Sequence, residues 1–191
     1  MSLDRPGFSD PVADAQSCFR AVLEAMSHPG RVVRAGEDLA PPAPLDPATA
    51  AVLLTLADHD TALFLPPEAA PAADWIAFHC GAPLAQQIGA AEIVLGFALP
   101  DLGTLDAGTH EVPERGATLI LQLPALGSGA ALRLSGPGLA ASEILRVSGL
   151  PGDFAARWAA SRAQFPCGID LILCSGTTLA TLPRSVTVEA A

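Results

Sequence analysis

Hydrophobic and polar residues alternate along this chain in two rhythms. The first appears at residues 10–27, where Val12, Ala15, Phe19, Val22, Leu23 and Met26 recur at helical spacing. Asp10 is placed to cap the first turn, Pro11 suits its first position, and Pro29-Gly30 ends the run. A short strand is expected around 31–34. A second helix is expected from Asp46-Pro47 to about Ala57, and a third over 72–80. Between them, Thr61 to Leu65 reads as a buried strand stopped by Pro66-Pro67, and the prolines at 41, 42 and 44 read as a stiff surface connection.

The second rhythm dominates the later half. Strands are predicted over 92–98, 117–123, 131–134, 144–147, 170–174 and 179–182, with one more helix at about 153–164. Near-continuous apolar runs such as Thr118-Leu-Ile-Leu121 and Leu171-Ile-Leu173 fit strands covered on both faces. Helices in front, strands behind and one late helix predict a single α/β domain over 1–191. The expected architecture is a three-layer α/β/α sandwich around a mixed sheet.

Composition sharpens this picture. The 191 residues, half of them hydrophobic, suffice for one well-filled core. Twenty acids against ten bases give a net charge of −10, which opposes unaided binding to nucleic acid or to an anionic membrane. The low charged fraction of 16% leaves much of the surface apolar or small, as on a chain partly covered by a partner or one biased toward alanine. All ten bases are arginine; there is no lysine. That excludes a pyridoxal-phosphate aldimine and a Walker-type phosphate loop. The N-terminal residues show no signal-peptide pattern, and no apolar run is long enough to span a bilayer. With Cys18, Cys80, Cys167 and Cys174 scattered and no CxxC pair, a cytoplasmic protein with reduced thiols is expected.

Candidate chemistry is sparse. Asp58-His59-Asp60 could act as a general base or a metal corner, but it lacks a spaced second ligand pair and sits where Asp and His commonly satisfy backbone groups. His79-Cys80 is adjacent on a helix, so the two side chains diverge by about 100° and cannot serve each other there. Cys167 and Cys174 flank a core strand and read as small buried hydrophobes. Ser135-Gly136-Pro137-Gly138 follows a strand, and Gly136 and Gly138 could admit an anion or simply form a tight turn. Asp170 needs a partner if buried. Arg133 or Arg184 could pair with it, or could bind an oxyanion in bidentate fashion. Arg133, Gly136, Gly138 and Arg184 are therefore the candidate anion contacts. No catalytic residue, cofactor site or metal-ligand array is nominated.

Several segments in order resemble one family. They are Phe19-Arg20 through Met26-Ser27-His28-Pro29-Gly30, Leu54 through Asp58-His59-Asp60-Thr61, Phe78-His79, and Gly116-Ala117-Thr118-Leu119-Ile120-Leu121. Then come Leu134-Ser135-Gly136-Pro137-Gly138, Phe165-Pro166-Cys167-Gly168-Ile169-Asp170-Leu171-Ile172-Leu173 and Leu182-Pro183-Arg184. The set is similar to the PhnH subunit family of the bacterial carbon–phosphorus lyase system. Departures lie in the proline-alanine stretches near 41–48 and 66–73, and at Cys167. The resemblance implies a role in phosphonate catabolism, as part of a core assembly with PhnG, PhnI and PhnJ. That assembly couples a phosphonate to the ribose of ATP with loss of adenine, before a radical step cleaves the carbon–phosphorus bond. It also implies a homodimer and a fold like that of pyridoxal-phosphate transferases, here without the cofactor. It supplies no catalytic residue. Two alternatives stand beside it: a stand-alone enzyme using Asp58, His59 or Arg184 on a phosphorylated ligand, and a structural homodimerisation module.

Overall fold

The computed structural model describes residues 5–191. Helix α1 spans Pro11–Ser27, and the Asp10 carboxylate accepts from the Val12 and Ala13 amides as the sequence predicts. Strand β1 is short, Val33–Arg34. Helix α2 (Pro47–Leu56) is buried over most of its length, and α3 (Ala70–Cys80) ends at Gly81 in the left-handed conformation that terminates helices. The remaining elements are β2 (Leu63–Phe64), β3 (Ile93–Gly96), β4 (Thr118–Gln122), β5 (Ala125–Ser135), β6 (Glu143–Ser148), α4 (Phe154–Arg162), β7 (Asp170–Ser175), β8 (Thr178–Leu182) and β9 (Thr187–Ala190).

Six strands form a mixed sheet in the order β1-β8-β7-β4-β3-β2. Strands β2, β3, β4 and β7 run parallel, and β8 returns antiparallel beside β7. Its central strands are covered on both faces, which explains their continuous apolar runs. On one face Ile93, Leu95, Ile120, Ile172 and Leu179 meet α1, α2 and α3, with Trp75 fully buried. On the other face lie Val94, Leu119, Leu121, Leu171, Leu173 and Leu182.

What covers that second face corrects the sandwich expected from sequence. Instead of a helical layer, a separate antiparallel sheet of order β6-β5-β9 lies there, with α4 at its β9 side. Leu132, Leu134, Leu145, Val147 and Val188 supply its inner face, and Phe154 and Trp158 supply that of α4. Strand β9 has no sequence forecast, and β5 begins six residues earlier than the predicted 131–134. A bulge between Leu126 and Ala130 lets its glycine-rich start pair with β6. Both indoles are satisfied: Trp75 Nε1 donates to the Arg5 carbonyl at 2.9 Å and Trp158 Nε1 to the Val186 carbonyl at 2.8 Å. The predicted surface connection is partly inside, since Pro41 and Pro42 are buried.

Candidate functional site

Open sheets with parallel strands hold ligands beyond the carboxyl ends of those strands, often against a helix N-terminus. Here that edge is filled by the chain itself. Gln122, closing β4, donates through Nε2 to the Pro44 carbonyl at 2.8 Å and accepts from the Asp46 amide at 2.8 Å. Asp46 does not cap α2 with its side chain. Its Oδ2 instead accepts from the Gly176 amide at 2.8 Å. The Gly176 carbonyl in turn accepts from the Ala48 amide in the first turn of α2, at 2.9 Å. A backbone carbonyl thus stands where an anion would otherwise meet the helix.

At the opposite edge, Asp170 opens β7 and Arg184 follows β8. The Arg184 guanidinium donates to Asp170 Oδ2 through Nη2 at 2.6 Å and Nε at 3.1 Å, and its backbone amide donates to Oδ1 at 2.8 Å. Its remaining donors reach the Pro113 carbonyl and, at 3.3 Å, the Gly116 carbonyl. Both side chains are largely inside, 15% and 25% exposed. Arg184 therefore clamps three segments together, with its donors occupied inside the chain. Gly116 permits the approach: a Cβ there would stand 2.1 Å from the Gly168 carbonyl and 2.6 Å from Arg184 Nη1.

Gly136 and Gly138 lie in the turn joining β5 to β6. Gly138 has φ of +85°, and a Cβ on it would meet the Ser27 carbonyl at 2.6 Å. This turn and the end of α1 enclose a cleft of about 520 Å3, lined by His28, Arg31, Gly138, Leu139 and Glu143 among others. Its wall is the carbonyl-rich, negative end of α1. Arg31 is taken by Glu24 at 2.9 Å, and His28 Nδ1 lies 3.1 Å from the Glu24 carbonyl. That end of the cleft favours a donor over an anion. Arg133 is elsewhere, on the exposed outer face of β5.

The other polar clusters resolve into local structure. Asp58 Oδ1 accepts from Thr61 Oγ1 at 2.8 Å and from the Asp60 amide at 3.0 Å. These bonds, the Thr61 one first, hold its pKa below the ordinary carboxylate value. His59 and Asp60 are in open solvent. The His79 ring packs tilted against Trp75, with centroids 4.7 Å apart and planes at 57°, and edge-on to Phe78 at 5.0 Å. Its Nε2 is buried without a partner. Cys80 donates to the Leu53 carbonyl at 3.6 Å, and burial pushes its thiol up to about 12, far from a nucleophile's range. Burial also raises Cys18 and Cys174. Among the described residues, no three His, Cys, Asp or Glu side chains converge for a metal. Sequence reasoning passed over His110, which shares a cleft of about 380 Å3 with Gln164, Phe165 and Cys167.

One feature is not local. Helix α1 buries Cys18, Val22 and Ala25, yet leaves Val12, Phe19 and Leu23 exposed at 68%, 46% and 49%. Spaced by seven and four residues, these three form a stripe on one side of the helix. The apolar face of α1 is wider than the core uses.

The family of bacterial phosphonate metabolism proteins, PhnH, matches the chain over residues 6–189. The chain belongs to the PhnH family. It is 40% identical over 187 residues to the alpha-D-ribose 1-methylphosphonate 5-triphosphate synthase subunit PhnH of Rhizobium meliloti (strain 1021), covering 95% of this chain and 94% of that one. It is 38% identical over 180 residues to HtxG of Stutzerimonas stutzeri, provisionally named a C-P lyase subunit protein, covering 91% of this chain and 85% of that one. In this PhnH chain the segments quoted for the resemblance meet at junctions of the fold. Gly116, Gly168, Asp170 and Arg184 build the clamp. Met26–Gly30 and Leu134–Gly138 close on each other, with Gly30 so near Leu134 that a Cβ would stand 2.7 Å from its Cδ1. At both junctions the residues hold backbone segments against each other.

Proposed function

We propose that this chain is a subunit of the carbon–phosphorus lyase assembly of organic phosphonate catabolism. In that role it supports transfer of a phosphonate to the ribose of ATP with loss of adenine. The carrying observation is the 40% identity, nearly end to end on both chains, to a subunit named for alpha-D-ribose 1-methylphosphonate 5-triphosphate synthesis. The structure supports a subunit role over independent catalysis in two ways. The carboxyl edge of the sheet is closed by the chain's own Asp46, Gln122 and Gly176. The stripe on α1 is apolar surface that folding of the single chain leaves uncovered.

The finer assignments belong to the same proposal. The partners are PhnG, PhnI and PhnJ, and the isolated chain is a homodimer. The compartment is the cytoplasm, in keeping with four free cysteines. No helix of the described residues is long and apolar enough to cross a membrane. The fold is a relative of the pyridoxal-phosphate transferases that works without the cofactor, supported by the mixed sheet and by the absence of lysine. Of the four sequence-nominated anion contacts, only Arg133 keeps a free guanidinium among the described residues, since Arg184 is internally bound.

Co-expression with PhnG, PhnI and PhnJ tests the proposal. The chain should co-purify with them, and phosphorus NMR should show the ribose phosphonate product from ATP and methylphosphonate only when it is present. Full product formation without it, or its absence from an otherwise intact assembly, refutes the role.

A further inference from the structure

We propose that the outer face of the small sheet, built around Arg133 and Arg146, receives an acidic segment of a partner subunit. The inference rests on the subunit reading above and adds a place and a chemistry to it.

Arginine is the chain's sole strong base, and acids outnumber it 20 to 10. Among the described residues, Arg31, Arg34, Arg157 and Arg184 stand in ion pairs. Arg5 and Arg162 are taken by backbone carbonyls. Arg133, Arg146 and Arg115 have neither kind of partner, and Arg20 reaches only the Gln16 side chain at 3.4 Å; of these, Arg133 and Arg146 share one surface. Their strand neighbours Leu132, Leu134, Leu145 and Val147 point into the core, so both arginines point out. Register places Arg133 opposite Ile144 and Arg146 opposite Ala131. The two cations are therefore diagonal neighbours, separated by roughly 7–8 Å at the backbone. Glu189 lies directly opposite Arg133 on its other side and is exposed on the same face, which therefore holds two cations against one carboxylate. The floor around them is low, with Ala131, Ser135 and Thr187, and Ile144 rises between them 45% exposed.

The two like charges repel across the diagonal, within the roughly 8 Å screening length of physiological salt, and Glu189 opposite Arg133 offsets only part of that. Carboxylates brought by another chain reverse that sign, and in so acidic a protein a local cationic face also sets which way an acidic partner approaches. A small anion is the weaker occupant. The face is flat, neither arginine lines either of the two clefts described, and an exposed ion pair to a small ligand contributes little. Five paired residues across three strands span roughly 16 Å by 10 Å. That is well below the roughly 800 Å2 per side of a stable interface, so the patch steers and orients a larger contact.

The test uses the folded full chain, immobilised, with the co-expressed PhnG–PhnI–PhnJ assembly as probe at low and high ionic strength. The variants are R133Q/R146Q, which avoids setting two carboxylates beside each other, and R133E/R146E. R115Q, a solvent-exposed arginine away from this sheet, is the control. The wild type and R115Q should bind equally, with association slowing as salt rises. The double Gln variant should bind about tenfold more weakly, mostly through a slower and salt-insensitive on-rate, and the double Glu variant more weakly still. Equal binding by wild type and both double variants overturns this inference and leaves the subunit reading intact. No binding by wild type overturns both. Double variants that lose binding of tripolyphosphate but keep full binding of the assembly also overturn it, assigning the face to a small anion.

Discussion

Replacing Arg184 with methionine tests the reading of the clamp directly. The substitution removes both guanidinium donors from Asp170 Oδ2, leaving only the amide of residue 184 on Oδ1. It also strips a donor from the Pro113 and Gly116 carbonyls. Asp170 is only 25% exposed, so its charge remains largely desolvated and uncompensated. Breaking a buried pair from one side costs about 3–5 kcal/mol. For a chain of 191 residues, each kcal/mol moves Tm by about 2–4 °C, so a fall of roughly 6–20 °C is expected. Urea unfolding followed by circular dichroism measures the loss as a lower midpoint with an unchanged slope. The double variant R184M/D170N removes both charges and should recover most of it, giving a coupling of a few kcal/mol in the mutant cycle, on the order of 2–3. An unfolding free energy within about 0.5 kcal/mol of wild type for R184M refutes the clamp. So does a double variant no better than the worse single one. If Arg184 served an external anion instead, R184M would leave the melt unchanged and weaken ligand binding.

Other outcomes follow from the same geometry. F19S/L23S on the α1 stripe should change stability by no more than about 0.5 kcal/mol while sharply reducing recovery of the chain with PhnG, PhnI and PhnJ; unchanged recovery counts against that surface. G138A should destabilise by more than about 1 kcal/mol in thermal melts, since its φ is +85° and the new methyl meets the Ser27 carbonyl; a neutral result contradicts the docked turn. In the folded chain, thiol titration at neutral pH should find the buried Cys18, Cys167 and Cys174 protected, with all four cysteines reacting in denaturant. Rapid labelling of Cys174 in the native protein would contradict its burial. Cys80 keeps its proton up to about 12 when folded but ionises near 9.0 when unfolded. Its effect on stability is therefore flat below pH 9, and stability falls between about 9 and 12. C80A should make that alkaline decline shallower.

Helix α1 was legible because three independent signals agreed: the Asp10 cap, the apolar period and the Pro29-Gly30 stop. The buried parallel strands were legible from their unbroken apolar runs. Strand β9 was not, because only Val188 of Thr187–Ala190 is buried and its pairing comes entirely from β5. The opening of β5 was hidden by Gly127, Ser128 and Gly129, whose strand conformation depends on a bulge and a partner. Periodicity shows that an element has an apolar face but not what covers it. A second sheet was therefore mistaken for a helical layer, and the apolar period of α1 did not separate its buried positions from the exposed Val12, Phe19 and Leu23. The cost of burying a carboxylate did point to a pair between Asp170 and either Arg133 or Arg184, though nothing in the residues chose Arg184 or announced the Pro113 and Gly116 carbonyls. Asp46 precedes Pro47 where a side-chain cap is the local expectation, yet its carboxylate accepts from the amide of Gly176, a residue 130 positions away.

The closed carboxyl edge bears on how ligands of this protein should be sought. A screen that watches the isolated chain melt rewards compounds that fill a ready cradle, and here Gly176 already occupies the position at the start of α2. ATP and methylphosphonate should therefore leave its melting curve in place. The same compounds should register when assembly is the readout, as a shift in how much of the chain is retained by its neighbours.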